Sequence, residues 1–228
     1  MCGIVGIVSN KSVSASIISA LKKLEYRGYD SAGISTLING QIKEQKCSGR
    51  VDNLEKILFQ NPSSGDLGIG HVRWATHGVP NQVNAHPHSS EAVSVVHNGI
   101  IENSDTLRNE YKEKGYSFKS QTDTEVITIM LTDFLKQNDL INCIHKTLKK
   151  LEGSFALGII FKDYNNLVVG ARRGSPLAVG YGHNENFIGS DSYALKSMTN
   201  KISYLDDGNF CILYKEKDEF YNSDKKKI

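Results

Sequence analysis

The chain opens MCGIVGIVSN, with a cysteine directly behind the initiator methionine and ahead of an apolar run. A small second residue favours removal of Met1, so the mature chain is expected to start at Cys2 with its thiol beside its own α-amino group. That amine has an ordinary pKa of about 7.7–8.0, leaving a useful fraction unprotonated at neutral pH. A free thiol is intrinsically nucleophilic, so one residue can supply nucleophile and base together, as an N-terminal threonine does. The competing reading is a small buried residue at the start of a core strand, since free cysteines are among the most buried types. A lipid anchor fits poorly, because no hydrophobic leader precedes the cysteine.

Three further segments hold candidate chemistry. In HVRWATHG, Arg73 follows a strand-like run and precedes a flexible loop, which suits a bidentate grip on a carboxylate; the alternative is a surface ion pair with Trp74 packed in the core. Asp123 can bind an ammonium group, or favour a helix N-terminus through the macrodipole. Asn98-Gly99 matches a hairpin turn, yet only Ile100 and Ile101 follow it before a polar stretch. The other reading aims the Asn98 amide and the Gly99 backbone N–H at one spot, as an oxyanion hole for acyl transfer. His86-Pro87-His88 with His71, His77 or His97 matches no HExxH or paired-cysteine zinc pattern, so no metal is assigned.

These residues need elements to hold them. Gly3 to Val8 reads as a buried strand, followed by a helix capped by Asn10 with Val13, Ile17, Leu21 and Leu24 on its apolar stripe. Ser31 to Ile38 and Gln41 to Cys47 flank Asn39-Gly40 as a hairpin. Val51 to Phe59 reads as a small helix, and Leu67 to Trp74 and Ala92 to His97 as strands. The loop between those strands, Ala75 to Ser90, is long enough to suggest function. Helices are expected over Glu102 to Lys114, from a Thr122–Glu125 capping box onward, and over Asp139 to Leu151. Strands return at Ser154 to Phe161, Leu167 to Ala171, Leu177 to Val179, Phe187 to Gly189 and Phe210 to Tyr214. The pattern is that of an α+β layered domain with antiparallel sheets.

Composition narrows the function classes. The 228 residues suffice for one domain with a substantial core. A net charge of +2 is unlike a nucleic-acid surface, and the dense basic run Lys225-Lys226-Lys227 reads as a solvated tail. The four cysteines, Cys2, Cys47, Cys143 and Cys211, contain no C-x-x-C pair, which suits free thiols in a reducing compartment. No signal-like leader and no membrane-length apolar stretch is present, so a cytoplasmic protein is expected.

Taken in order, MCGIVGIV, LEYRGYDSAGI, GIGHVRWATHG, NAHPH, VVHNGIIEN, TDTEVI, GSFALGII, ARRGSPLAVG and ENFIGSD resemble the glutaminase domains of glucosamine-6-phosphate synthases (glutamine–fructose-6-phosphate aminotransferases). These belong to the N-terminal-nucleophile amidotransferases. The resemblance runs from residue 2 to about residue 213. It implies a four-layer αββα fold, with Cys2 as nucleophile and Asn98 and Gly99 as the oxyanion hole. It also implies that Arg73 binds the α-carboxylate of glutamine and Asp123 its ammonium. Thr76 and His77 would line the substrate, with Trp74 on the loop closing over it. No metal or organic cofactor is implied. Residues 1–228 are expected to form a single amidotransferase domain, with 215–228 a tail or the start of a linker. Complete synthases continue into sugar-isomerase domains that accept ammonia, so the chain reads as an excised domain or as a subunit serving a separate acceptor. A non-catalytic glutamine-binding domain, or an amidohydrolase for another amide, is the remaining alternative.

Overall fold

Among the described residues, thirteen strands alternate apolar residues onto two packing surfaces, and that alternation builds the layers. The computed structural model describes residues 2–75 and 78–228; the readings for Met1, Thr76 and His77 fall outside the described residues. The first sheet contains β1 (Gly3–Val8), β2 (Ser31–Ile38), β3 (Gln41–Ser48), β4 (Leu67–Arg73), β9 (Ala178–Tyr181), β10 (Asn186–Gly189) and β11 (Lys201–Tyr204). Its order is β11-β9-β10-β1-β4-β2-β3, so β1 lies at the centre. The second sheet contains β5 (His88–Ser89), β6 (Val93–Ile101), β7 (Gly153–Phe161), β8 (Tyr164–Arg173), β12 (Phe210–Tyr214) and β13 (Asp218–Tyr221), in the order β13-β12-β8-β7-β6-β5. All the pairings are antiparallel.

Side chains on a strand alternate between its two faces. On β1, Val5 and Ile7 join the core beneath α1 (Ser14–Leu24), α2 (Val51–Gln60) and α6 (Ser192–Leu195). Ile4 and Val8 point the other way, into a core between the sheets with Ile69, Val96, Val168, Ile188 and Leu213. A third core joins the second sheet to α3 (Ser104–Glu113), α4 (Thr124–Leu135) and α5 (Leu140–Lys150). Three cores between four layers make an αββα sandwich, and they explain why these strands are apolar on both faces.

Local chemistry sets several boundaries. Asn39 and Gly40 both have positive φ, 51° and 71°, as a type I′ hairpin turn needs. Asp139 caps α5 by accepting from Asn142 N at 2.8 Å, and Arg173 donates to the Leu148 and Leu151 carbonyls at that helix's C-terminus.

Two expected caps are absent. Asn10 is not the cap of α1: the helix starts at Ser14, and Val13 N instead donates to the Gly65 carbonyl at 3.0 Å. The capping box at α4 does not form either. Asp123 makes no side-chain cap bond, and Glu125 accepts from Ser120 N and Lys119 N of the preceding loop at 2.7 and 2.8 Å. Tertiary partners outbid the local ones in both cases. Beyond Lys215, β13 pairs with β12 as an edge strand, and Lys215 reaches Asp66.

Candidate active site

Cys2 lies at the head of β1, the central strand, where it is half-buried. Gly3 follows it because a Cβ there would come within 2.8 Å of Leu24 and Val72 side-chain atoms. Pairing of β1 with β4 sets Gly3 opposite Val72, which brings the end of β4 to the thiol. The Trp74 N–H donates to Cys2 Sγ at 3.3 Å, and Sγ also lies 3.5 Å from the Trp74 carbonyl. Burial pushes the thiol pKa above its ordinary value, so the resting sulfur is protonated and needs a base to become a nucleophile.

A cavity of about 230 Å³ opens beside Cys2, lined also by Arg27, Trp74, Asn98, Gly99, Ser175 and Pro176. It lies below the range of drug-sized ligand pockets, which suits a single amino acid. Asn98 and Gly99 are not a turn: β6 runs through them to Ile101. By strand alternation, Asn98 shares the inter-sheet face of Val96, while His97 faces the helices. The Asn98 amide donates to the Cys2 carbonyl at 2.8 Å. Gly99 has φ of 136°, and a Cβ there would lie 2.0 Å from the Ser154 carbonyl oxygen. Only glycine fits both the torsion and the space.

Arg73 is 3% exposed and Trp74 49% exposed, the reverse of a surface arginine beside a core tryptophan. The Arg73 guanidinium donates to the Gly78 and Val79 carbonyls at 3.3 and 3.4 Å, and Asp30, Cys2 and Asp123 act on it electrostatically. Burial lowers its pKa, which leaves an arginine cationic. Asp123 is also buried; its carboxylate accepts from Ile101 N at 2.9 Å, tying the start of α4 to the end of β6. Neither Arg73 nor Asp123 lines the cavity itself. Arg73 directly precedes the lining residue Trp74, and Asp123 is bonded to Ile101, next to the lining residue Ile100.

Several contributors lie in the recognisable segments but outside the residues to which the resemblance gives a role. Arg27, in LEYRGYDSAGI, donates through Nε to the Cys2 carbonyl at 3.0 Å. Asp191, in ENFIGSD, lies 3.6 Å from the Arg27 guanidinium and accepts from Tyr26 at 2.6 Å. Ser190 Oγ accepts from Ile4 N at 2.9 Å. Gly28 lets the chain pass the Arg73–Trp74 peptide, which a Cβ would meet at 2.5 Å. Ser175 and Pro176, in ARRGSPLAVG, form one cavity wall. The only hint in the sequence was that these polar and glycine positions recur inside the recognisable segments.

The histidines pack together. His71 stacks on His86 with centroids 4.3 Å apart, and His86 meets His88 edge-on at 4.7 Å. His86 and His97 both reach the Thr124 hydroxyl, at 2.7 and 2.9 Å, and His88 reaches that of Thr122 at 2.9 Å. Burial depresses their basicity: His71 is pushed down to about 3, with His86 and His88 well below the ordinary value. Among the described residues, no group of three or more His, Cys, Asp or Glu is arranged to hold a metal ion.

A cysteine at the head of the central strand of an αββα sandwich, facing a small cavity, defines the N-terminal-nucleophile hydrolase architecture. The chain belongs to the glutamine amidotransferase domain family, whose model matches residues 71–197, more than half its length. It is similar to the isomerizing glutamine–fructose-6-phosphate aminotransferase of Mesorhizobium japonicum, 50% identical over 100% of this chain and 38% of that protein. The Clostridium acetobutylicum enzyme of the same name is likewise 50% identical over 100% of this chain and 38% of its own length. The chain thus spans little more than a third of these curated relatives. The Bacillus subtilis glutamine phosphoribosylpyrophosphate amidotransferase shares the fold at a TM-score of 0.82 and 24% identity, covering 97% of this chain and 49% of that one. A glutamine aminotransferase class-II domain protein from Silicibacter pomeroyi does so at 0.70 and 12% identity, over 97% and 99% of the two chains. Among the described residues, no helix is long and apolar enough to cross a membrane.

Proposed function

We propose that the chain hydrolyses the side-chain amide of L-glutamine to glutamate and ammonia, and that the ammonia serves amino-sugar synthesis by a sugar-isomerase domain or subunit. The observation that carries this reading is the Cys2 thiol, seated against the Trp74 main chain and opening on a small cavity with Asn98 and Gly99 on its wall. The 50% identity to glutamine–fructose-6-phosphate aminotransferases supports the choice of acceptor.

With Met1 removed, the Cys2 amine takes the thiol proton and the sulfur attacks the amide carbon of glutamine. Asn98 Nδ2 and the Gly99 N–H stabilise the tetrahedral oxyanion. The amine returns its proton to the departing nitrogen, ammonia leaves, and water hydrolyses the γ-glutamyl thioester. Arg73 holds the α-carboxylate of the substrate and Asp123 its ammonium, while Thr76 and His77 line it and Trp74 covers it. Residues 1–228 act as one amidotransferase domain, with 215–228 leading toward a linker, in a reducing, cytoplasmic setting. The chemistry needs no metal or organic cofactor.

The test is glutamate release from glutamine by the purified chain beside Cys2→Ala, with intact mass to establish whether Met1 is lost. Turnover by the processed parent and none by the variant is expected. Equal release by both would remove Cys2 from the mechanism, and a processed parent that releases none would refute autonomous hydrolysis.

A further inference from the structure

Resting on the reading above, we propose that His71 is a positioning residue whose Nε2–H fixes the orientation of the Asn98 amide and so aims one N–H of that amide at the oxyanion. His71 is completely buried on β4, on the inter-sheet face shared by Leu67 and Ile69. Its Nε2 lies 2.9 Å from the His97 carbonyl oxygen and 3.1 Å from Asn98 Oδ1. A carbonyl oxygen can only accept, so Nε2 must carry the hydrogen. That hydrogen leaves Asn98 one allowed orientation, oxygen toward His71 and nitrogen away.

The other side of the amide imposes the same choice. Asn98 Nδ2 donates to the Cys2 carbonyl at 2.8 Å. A rotated amide would set NH₂ against the His71 N–H and oxygen against the Cys2 carbonyl, replacing two hydrogen bonds by two repulsions. An amide nitrogen carries two hydrogens. One is used on Cys2, leaving the second for the cavity that Cys2 and Asn98 both line.

The ring of His71 is itself braced. His86 stacks on it with an interplanar angle of 22°, and Gly33, directly opposite His71 in the β2–β4 pairing, makes room for this. A Cβ on Gly33 would come within 2.1 Å of the His86 carbonyl oxygen. His71 Nδ1 is buried with no hydrogen-bond partner among the described residues, which suits a bare ring nitrogen and not a second N–H. A donor held this rigidly is what a preorganised oxyanion hole requires, since misplacing it forfeits stabilisation only in the transition state.

The test compares His71→Leu, His71→Gln and His71→Asn in the full chain. Gln places an amide nitrogen where Nε2 stood; Asn places it nearer Nδ1; Leu has no donor. For the Leu and Asn variants, kcat for glutamine is expected to fall on the order of 10²-fold with KM changed by less than about threefold, and Gln is expected to recover most of the loss. Glutamate γ-semialdehyde, which adds to Cys2 as a tetrahedral hemithioacetal, should lose affinity in parallel with kcat, while glutamate binding and the rate of Cys2 alkylation stay near the parent's. A folded Leu variant with kcat within threefold of the parent would overturn the proposal. So would a loss shared equally by glutamate binding and alkylation, or one that Gln does not recover. Should the donor-less variants fail to fold, imidazole ¹⁵N shifts of the parent decide: a neutral Nε2–H ring upholds it, an Nδ1–H ring or an imidazolium at pH 7 overturns it. A parent that does not hydrolyse glutamine would count against the proposed activity instead, and the spectrum would still report the tautomer.

Discussion

The proposed chemistry at Cys2 depends on which base can take its proton. Burial raises the thiol pKa and holds His71, His86 and His88 neutral, with His71 pushed down to about 3. None of these rings changes charge near neutrality. The acid limb of kcat/KM for glutamine should therefore follow the α-amine of Cys2, rising with pH through about 7.7–8.0. A pH–rate series on the processed chain checks this, beside a preparation that retains Met1. The limb should be present in the first and turnover absent in the second. A limb centred near about pH 6 in both would assign the base to a histidine instead.

Strands do the positioning, through alternation and register. The one-residue step from His97 to Asn98 on β6 carries the side chain from the helix layer to the inter-sheet layer, where Cys2 lies. Gly99 then keeps the strand tight against β7, opposite Phe155. Gly99→Ala would force a Cβ into the Ser154 carbonyl at a φ of 136°. The expected result is a loss of about 10²-fold or more in kcat, together with about 1–3 kcal/mol of stability. Steady-state kinetics and a urea melt measure the two; an alanine variant with parental kcat and stability would show that β6 takes up a Cβ here without displacing the Gly99 N–H. Helices hold the site through their ends. Asp123, at the start of α4, bonds to the end of β6 and not to its own helix.

Across the whole molecule, the buried histidines join both sheets, the loop between β4 and β5, and α4. For His71, His86 and His88 the folded pKa values lie below the unfolded value of about 6.5, so below that pH the unfolded chain binds more protons than the folded one. Stability from these rings is complete above about pH 6.5 and declines as pH falls toward the folded values. For His71, with a folded pKa of about 3, the loss at pH 5 is about 2 kcal/mol. Urea midpoints should fall steeply between pH 7 and pH 5, and His71→Gln should fall less steeply. A flat profile would mean that these rings are solvated in the folded state.

Much of this was readable from the sequence because it is local. Strands apolar on both faces, the Asn39-Gly40 turn and the α1 stripe follow from periodicity and torsional preference, which act over a few residues. Cys2 was legible as a candidate for a related reason: a thiol beside a chain's own amine needs no fold to suggest chemistry, though only the run of motifs around it favoured that reading over a buried core residue. The caps at Asn10 and Thr122–Glu125 misled, since tertiary partners competed for the same groups. Arg27, Asp191, Ser175 and the His71–Asn98 pair were invisible as partners. Residues 26 and 27 positions apart meet only when two sheets stack, and Arg27 finds Asp191 only across a fully assembled layer. Short-range torsional and apolar preferences thus sufficed for the elements, and residue chemistry at the head of the chain for the proposal of Cys2. The orientation of the donors around Cys2 was decided by packing between layers, where one buried polar group leaves its neighbour a single way to be satisfied.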